Sequence, residues 1–203
     1  MPRMALLENS AERLPRLTKL AASILVWFGV PLVVGGVVTA PVVIPWLLGA
    51  QFHEAVHAFQ WVALYMIAAP AATLFAGTIL YAMGRHRAYF VSTLAGAVSA
   101  VVLNLVLPPW FGISGACVAF VLGEVGVTLC AFLLCPPEVR AAARTPLFTV
   151  AAIASLLMAA ALWFALPLHL HPLALVGLGC AVYAISWAAI GRHLLKREVE
   201  AIA

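Results

Sequence analysis

Long apolar runs without charged residues dominate the chain. No Asp, Glu, Lys or Arg occurs in residues 20–53 or 55–84. Residues 88–137 contain one charged residue, Glu124. Residues 145–191 contain none either. Each run is longer than the roughly 20 residues with which a helix crosses the hydrocarbon of a bilayer. The pattern therefore predicts membrane-spanning helices.

The two longer runs each divide into two helices. Proline and glycine mark the divisions at residues 108–112 and 167–172. The sequence thus predicts an all-α polytopic membrane protein with six transmembrane helices, at about 24–48, 58–83, 88–107, 113–135, 146–166 and 173–191. We expect a cytoplasmic amphipathic segment over residues 1–22, a six-helix lobe over 23–191 and a cytoplasmic tail over 192–203.

The composition supports this prediction and excludes a soluble domain. Hydrophobic residues make up 66% of the 203 residues and charged residues only 9%, whereas soluble domains have about 25% charged residues. The formal net charge is +4, but the basic residues form no continuous patch in the sequence. A nucleic-acid partner is therefore not expected. The four cysteines have neither zinc-finger nor disulfide-framework spacing, and helix packing is their expected role.

The positions of the basic residues provide a test of the helix count. With six crossings, all eleven Lys and Arg residues lie on one side of the membrane, and the three connections on the other side carry none. The positive-inside rule then places both termini in the cytoplasm. The sequence therefore predicts a multi-pass membrane protein with all its basic connections on the cytoplasmic side.

Small residues and prolines predict how the helices pack. Helices associate in lipid through close packing of small side chains, and such a stripe recurs every fourth residue at Ser92, Gly96, Ala100 and Asn104. Prolines inside the first two predicted helices remove backbone donors, so we expect neighbouring helices to compensate. These prolines are Pro31, Pro41, Pro45 and Pro70.

Two polar residues within the predicted spans are candidates for a substrate pathway. Glu124 lies near the middle of the fourth predicted helix, where an ionisable group is costly and is expected to face protein or a water-filled cavity. It is interpreted either as part of a substrate or proton path or as a neutral carboxyl bonded to another helix. For Asn104, an interhelical hydrogen bond is favoured over substrate contact.

A short pattern with possible metal chemistry occurs at the outer border of the second helix. His53, Glu54 and His57 match H-E-x-x-H, in which two histidines on one helical face hold zinc and the glutamate is a general base. His169 and His171 lie on the same predicted side. The chain contains no Asp, however, which is the usual third ligand in intramembrane proteases. A solvent-exposed histidine-rich rim is therefore the favoured interpretation, and a zinc protease is the alternative.

The arginine pairs between helices are interpreted mainly as topology determinants. Arg85 and Arg87 follow the second predicted helix, and Arg140 and Arg144 follow the fourth. They are also candidates for contact with anionic lipid headgroups or a lipid-linked phosphate. The sequence has no Walker phosphate loop and no dinucleotide fingerprint, so neither ATP hydrolysis nor a cofactor is expected, and the protein is not predicted to be an enzyme.

Three segments together resemble a known family of transporters. Residues 47–56 resemble an L-x-G-x-x-F-x-x-A turn, residues 80–87 match L-x-A-x-G-R-x-R, and residues 104–116 are similar to N-x-x-L-I-P-x-x-G-I-x-G-A. Glu124 follows at a position where this family often has an acidic residue. The order and spacing resemble the C-terminal half of polysaccharide flippases, within the multidrug/oligosaccharidyl-lipid/polysaccharide exporter superfamily, over roughly residues 15–135.

The resemblance implies a function and several partners. Members move undecaprenyl-diphosphate-linked oligosaccharide across the membrane by alternating access between two six-helix lobes. This chain corresponds to one lobe of such a two-lobe transporter of the bacterial cytoplasmic (inner) membrane, so we expect it to need an N-terminal lobe, a second copy or another partner. The implied substrate pathway includes Glu124, Asn104, Arg85 and Arg87, in contact with lipid-linked oligosaccharide and membrane lipids. The alternatives are the zinc-dependent intramembrane protease and a non-transporting membrane assembly factor.

Overall fold

The computed structural model describes the backbone of residues 2–144, 147–168 and 170–200, and the side chains of residues 14–144, 147–168 and 170–190. No strand occurs in the described backbone. The helices are α1 (Pro2–Leu48), α2 (Ala55–Ala72, continued as a π-helix over Thr73–Leu80), α3 (His86–Val106), α4 (Pro108–Leu134), α5 (Pro137–Ala143), α6 (Leu147–Ala165) and α7 (Pro172–Glu200). Short 3-10 turns occupy Ala50–Phe52 and Leu166–Leu168.

Six stretches of the described chain are long and apolar enough to cross a membrane. They confirm the predicted number of spans, and each overlaps one of the predicted helices. Large apolar side chains such as Leu105, Trp110 and Ile113 remain mostly exposed, as expected when lipid rather than water surrounds the helices. The chain is therefore an all-α, multi-pass membrane protein.

The first helix is longer than predicted. It runs without interruption from Pro2 to Leu48, whereas the sequence predicted a separate surface segment over residues 1–22 and a span from about 24. The helix continues through Pro15. Residues 16–28 contain neither proline nor glycine, so no helix breaker stops it at the predicted boundary. The apolar part begins at Leu14.

Proline and glycine interrupt the helices at the predicted turn between α3 and α4. Gly112 has φ 58° and ψ −139°, which breaks the helical path inside α4. Glycine adopts a positive φ without the steric cost that a Cβ would impose. The predicted helix from 113 therefore begins directly after this break, and Pro108 starts a short preceding turn.

Helix α5 was not predicted. Cys135 is extended because Pro136 disfavours the α conformation in the residue before it, and Pro137 then occupies the first position of a new helix. The seven-residue helix buries Val139 against the end of α4 and the π-helical part of α2. It thus fixes the connection between α4 and α6.

The helices form two groups that are joined by α1. In one group α3 packs on α4, and α4 packs on α2; in the other, α6 packs on α7. Helix α1 contacts α2 on one side and α6 and α7 on the other. The first and longest helix therefore forms the centre of the bundle.

The small-residue stripe forms the contact between α3 and α4. Ser92 and Gly96 are buried there, and a Cβ added at Gly123 would lie 2.8 Å from the Cβ of Ala100. A Cβ at Gly96 would collide with the side chain of Val127 and lie 2.9 Å from the Gly123 carbonyl oxygen. The predicted packing role of the stripe is confirmed for its first three residues.

Candidate functional site

An apolar cleft lies between α1, α2, α6 and α7. Its volume is about 630 Å³. Trp27, Phe28 and Leu32 of α1 line it together with Met66 of α2 and Trp187 of α7. Phe28, Leu32 and Met66 remain substantially exposed, so the cleft opens at the surface of the six-helix unit. Its apolar lining could accept a hydrophobic molecule or helix.

Small residues of α1 leave the space for the cleft. Gly35, Gly36 and Thr39 line it from α1, and they contribute little side-chain volume. The Thr39 hydroxyl donates 2.7 Å to the Gly35 carbonyl of its own helix. The polar group is thereby satisfied, and the lining offers mainly hydrocarbon and aromatic surface.

One wall of the cleft is held by a hydrogen bond from α7 to α1. The hydroxyl of Tyr183 donates 2.8 Å to the carbonyl oxygen of Trp27. The regular helical donor to this carbonyl would be the N–H of residue 31, but Pro31 has none. Tyr183 therefore supplies the compensation that the sequence predicted for a proline inside a transmembrane helix.

A second side-chain hydrogen bond, from α2, compensates another proline of α1 in the same way. Gln60 of α2 donates through Nε2 to the carbonyl oxygen of Val37 at 3.1 Å. This carbonyl is four residues before Pro41, which again lacks the N–H that would bond to it. Two neighbouring helices thus complete the backbone of α1 at two proline positions.

The sequence analysis did not identify Tyr183 or Gln60 as the donors. Each proline at position i leaves the carbonyl at i−4 without its helical donor, and only a few side chains in these apolar runs can donate. These few donors are the sequence signal for the groups that could bond to the free carbonyls. The sequence could not show which helix faces which proline.

Glu124 lies away from the cleft, on the side of α4 that faces α2. Phe120, four residues before Glu124, stacks on Tyr65 of α2 with 4.8 Å between the ring centroids. Thr128, four residues after it, donates its hydroxyl to the Ala68 carbonyl of α2 at 3.3 Å. Because residues four apart share a helical face, Glu124 belongs to the same contact. It is half-buried, and among the described residues its carboxyl has no hydrogen-bonding partner. An interhelical bond of a neutral carboxyl is thus not seen within the described chain.

Asn104 does not form the interhelical hydrogen bond that the sequence analysis favoured. Its side chain is exposed and donates 2.9 Å to the Ala100 carbonyl, four residues earlier in α3. The stripe therefore stops packing before its last member, which lies two residues from the end of α3 at Val106. The expectation of an interhelical bond was wrong.

The two arginines after α2 have different surroundings. Arg85 donates through Nη1 to the carbonyl oxygen of Leu134 at 2.6 Å, and so caps the end of α4. Arg87 is exposed and begins α3 with His86. Neither lines the cleft, so the structure does not bring Glu124, Asn104, Arg85 and Arg87 together.

The histidine-rich end of the molecule shows no metal site within the described residues. His53 and Glu54 lie in the turn before α2, and His57 lies in its first turn; all three are exposed. No group of three or more His, Cys, Asp or Glu residues is placed to hold a metal ion in the part of the chain that the structure describes. His169 lies outside that part.

His171 has a structural contact instead. Its ring lies edge-on to Trp46 with 5.6 Å between ring centroids, and its Nδ1 accepts a hydrogen bond of 3.4 Å from the backbone N–H of Leu173. Since α7 begins at Pro172, this bond satisfies one of the free donors at the start of the helix. The histidine thus helps to fix α7 against α1.

The geometry therefore consists of an apolar cleft beside α1, with the Tyr183–Trp27 bond in its wall, and the charged candidates lie elsewhere. Such a surface can hold a hydrophobic chain or a packed helix. Comparison of the chain with models of protein families, with curated proteins and with solved structures gives no match in any of the three.

Proposed function

We propose that this chain is one lobe of a polysaccharide flippase in a bacterial cytoplasmic membrane. It would move undecaprenyl-diphosphate-linked oligosaccharide between leaflets together with a second lobe, which is either an N-terminal half or another copy of the chain. The cleft between α1, α2, α6 and α7 carries this proposal. The three sequence motifs and the charge distribution support it.

The chemistry of the cleft suits the lipid part of such a substrate. An isoprenoid chain is a branched hydrocarbon, and the lining of aromatic and aliphatic side chains matches it without leaving polar groups unpaired. Binding sites for small hydrophobic molecules commonly have volumes of roughly 300–1,000 Å³. The volume of about 630 Å³ falls in this range. Because the cleft opens at the surface, a second lobe is needed to enclose it.

The backbone of α1 supports a change of conformation around the cleft. Proline removes helical hydrogen bonds, and at Pro31 and Pro41 the replacements come from side chains of α7 and α2. A side-chain bond between helices can be exchanged more easily than an internal helical bond. Movement of α7 or α2 relative to α1 is therefore coupled to the shape of the cleft, as alternating access requires.

Reconstituted vesicles test the proposal directly. The full chain is placed in vesicles with a fluorescent undecaprenyl-diphosphate-linked disaccharide, and bleaching of the fluorophore by external dithionite reports movement between leaflets. We expect faster loss of the inner-leaflet signal than in protein-free vesicles. Gly36→Phe, which fills the cleft, should return the rate toward the protein-free value.

A matched glycine variant separates the cleft from general effects on folding. Gly177 of α7 lies outside the cleft lining, and no atom lies within 4 Å of a Cβ built there. Gly177→Phe should therefore keep the parental rate. A parental rate no faster than that of empty vesicles would contradict flipping by this chain with its own copies. Co-purification of polysaccharide synthases without flipping would instead favour the assembly-factor alternative.

A further inference from the structure

A second feature lies at the end of the bundle that carries Arg85 and Arg140. Arg85 follows the π-helical part of α2, and Arg140 lies in the short helix α5 that follows α4. Between them is Cys135, which is 3% exposed. Arg85 and Cys135 follow the membrane-spanning stretches that end at Leu80 and Leu134, and Arg140 lies near the start of the next stretch, which begins at Pro137. The ends of such stretches are expected at the headgroup layer of a bilayer.

The Arg85 guanidinium is held in place by protein but not neutralised. One nitrogen donates to the Leu134 carbonyl at 2.6 Å, which satisfies one of the free acceptors at the end of α4. A guanidinium carries five N–H donors in a planar fork, so further donors remain for another ligand. Within the described residues it forms no ion pair.

Arg140 is the second positive charge at this end of the bundle. Its Nε is buried and finds no hydrogen-bond acceptor among the described residues, while the side chain as a whole is only half-buried. Glu138 is the nearest carboxylate along α5, but it is exposed and two residues away. Residues two apart on a helix face different directions. The described structure therefore leaves this charge without a counter-ion.

The two guanidinium groups act on the same small region. Burial raises the pKa of the Cys135 thiol, and the positive charges of Arg85 and Arg140 oppose that rise. The geometry agrees: Arg85 bonds the carbonyl of Leu134, next to Cys135, and Arg140 follows Cys135 by five residues in α5. A phosphate that binds between two arginines can accept hydrogen bonds from both.

We propose that Arg85 and Arg140 bind the phosphate of an anionic phospholipid headgroup at the junction of α4 and α5. The bound lipid would supply the negative charge that the described residues lack, and it would hold α5 against the end of α2. The site is separate from the apolar cleft, because neither arginine lines that cleft. The proposal does not depend on flippase activity.

Native mass spectrometry of the full chain in detergent tests this site. The protein is titrated with phosphatidylglycerol and, separately, with phosphatidylcholine of the same acyl chains. We expect the parent to prefer phosphatidylglycerol. Arg140→Gln should weaken phosphatidylglycerol binding about fivefold, equivalent to the roughly 1 kcal/mol that one arginine near an anionic surface contributes. Arg140→Lys keeps the charge without the planar fork and should give an intermediate loss.

Arg16→Gln is the matched control for charge alone. Arg16 is exposed on α1, two residues from the buried Thr18, so it faces away from the packed surface. It removes the same charge elsewhere and should leave phosphatidylglycerol binding near the parental value. Equal weakening by Arg16→Gln and Arg140→Gln would overturn the site, because only net charge would then matter. Unchanged unfolding temperatures would show that the variants remain folded.

Inorganic phosphate distinguishes a lipid from a soluble source. Displacement of phosphatidylglycerol by millimolar phosphate, but not by chloride at equal ionic strength, would support recognition of the phosphate group. Phosphate binding that depends on Arg140, without any such dependence for phosphatidylglycerol, would overturn the lipid assignment.

Discussion

The hydroxyl of Tyr183 donates a hydrogen bond of 2.8 Å to the carbonyl oxygen of Trp27. The carbonyl belongs to α1 and the hydroxyl to α7, and the two residues are 156 positions apart in sequence. Pro31 makes this carbonyl the one that lacks a helical donor. The last helix thus donates a hydrogen bond to a carbonyl of the first helix that has no helical donor. This bond connects the α1 and α7 walls of the cleft.

Tyr183→Phe is expected to lower the free energy of unfolding. The variant keeps the ring, which stacks on Trp187 at 6.3 Å, and removes only the hydroxyl. Hydrogen bonds between transmembrane helices contribute about 0.6 kcal/mol on average and up to about 1.7 kcal/mol. Reversible unfolding in mixed micelles measures the loss. Tyr65→Phe is the control, since Tyr65 stacks on Phe120 and should be close to neutral.

A double-mutant cycle tests whether Pro31 is the reason for this bond. In Pro31→Ala the new N–H can donate to the Trp27 carbonyl within α1. Tyr183→Phe should then cost less than in the parent, which gives a measurable coupling between the two sites. Equal costs in both backgrounds would show that the hydroxyl contributes independently of the proline.

Gln60 should behave in the same way at the second proline. Gln60→Leu retains most of the side-chain volume but removes the donor that lies 3.1 Å from the Val37 carbonyl. We expect destabilisation of roughly 0.5–1.5 kcal/mol, measured in the same unfolding assay. Gln51→Leu is the control, because Gln51 is exposed in the 3-10 turn after α1. A similar loss at both positions would contradict a specific role for Gln60.

The contact between α3 and α4 gives a prediction that depends on space rather than hydrogen bonding. A Cβ at Gly96 would collide with Val127 and lie 2.9 Å from the Gly123 carbonyl oxygen. Gly96→Ala should therefore destabilise the protein by about 1–3 kcal/mol, as overpacking does. Gly177→Ala has no atom within 4 Å of the new Cβ and should be neutral or stabilising by up to about 1 kcal/mol. Comparing the two unfolding free energies checks the prediction.

The number of spans and the packing of the small residues could be predicted because each depends on local sequence. Apolar length determines whether a helix can cross the membrane, and a four-residue repeat of small side chains marks one helical face. The stripe on α3 therefore predicted the buried positions of Ser92 and Gly96. The interhelical bond predicted for its last member, Asn104, is not formed, because the repeat alone does not show how far along α3 the contact with α4 extends.

The pairing of distant helices could not be predicted. The prolines showed that α1 needs outside donors, but Tyr183 and Gln60 reach them only because α7 and α2 lie on opposite sides of α1. The π-helical segment Thr73–Leu80 and the short helix Pro137–Ala143 likewise depend on tertiary packing. The cleft itself is a property of this arrangement and leaves no local pattern in the sequence.

The predicted orientation can be tested by labelling. In a variant whose native cysteines are replaced, Glu54→Cys and His86→Cys introduce single thiols at exposed positions on opposite ends of the second span. If all basic connections face the cytoplasm, a membrane-impermeant maleimide should label Glu54→Cys in intact cells and His86→Cys only after permeabilisation. The reverse pattern would invert the proposed topology, and equal labelling in intact cells would contradict it.

Glu124 offers a test that separates transport from folding. Its carboxyl is half-buried and has no hydrogen-bonding partner among the described residues, so Glu124→Gln removes a charge without breaking a described bond. Placing an ionisable group at membrane depth is costly. The variant should therefore be at least as stable as the parent in the unfolding assay.

Flipping by Glu124→Gln should nevertheless fall about tenfold or more if the carboxylate lies on the substrate or proton path. A charge-assisted hydrogen bond contributes roughly 1.5–3 kcal/mol. Its loss at the rate-limiting step would slow flipping, and hence the dithionite-dependent loss of fluorescence, by about tenfold or more. Glu138→Gln, at an exposed position in the first turn of α5, should flip at the parental rate. Parental flipping by Glu124→Gln would assign the residue to helix packing between α4 and α2, and the transport path would then consist of the apolar cleft without it.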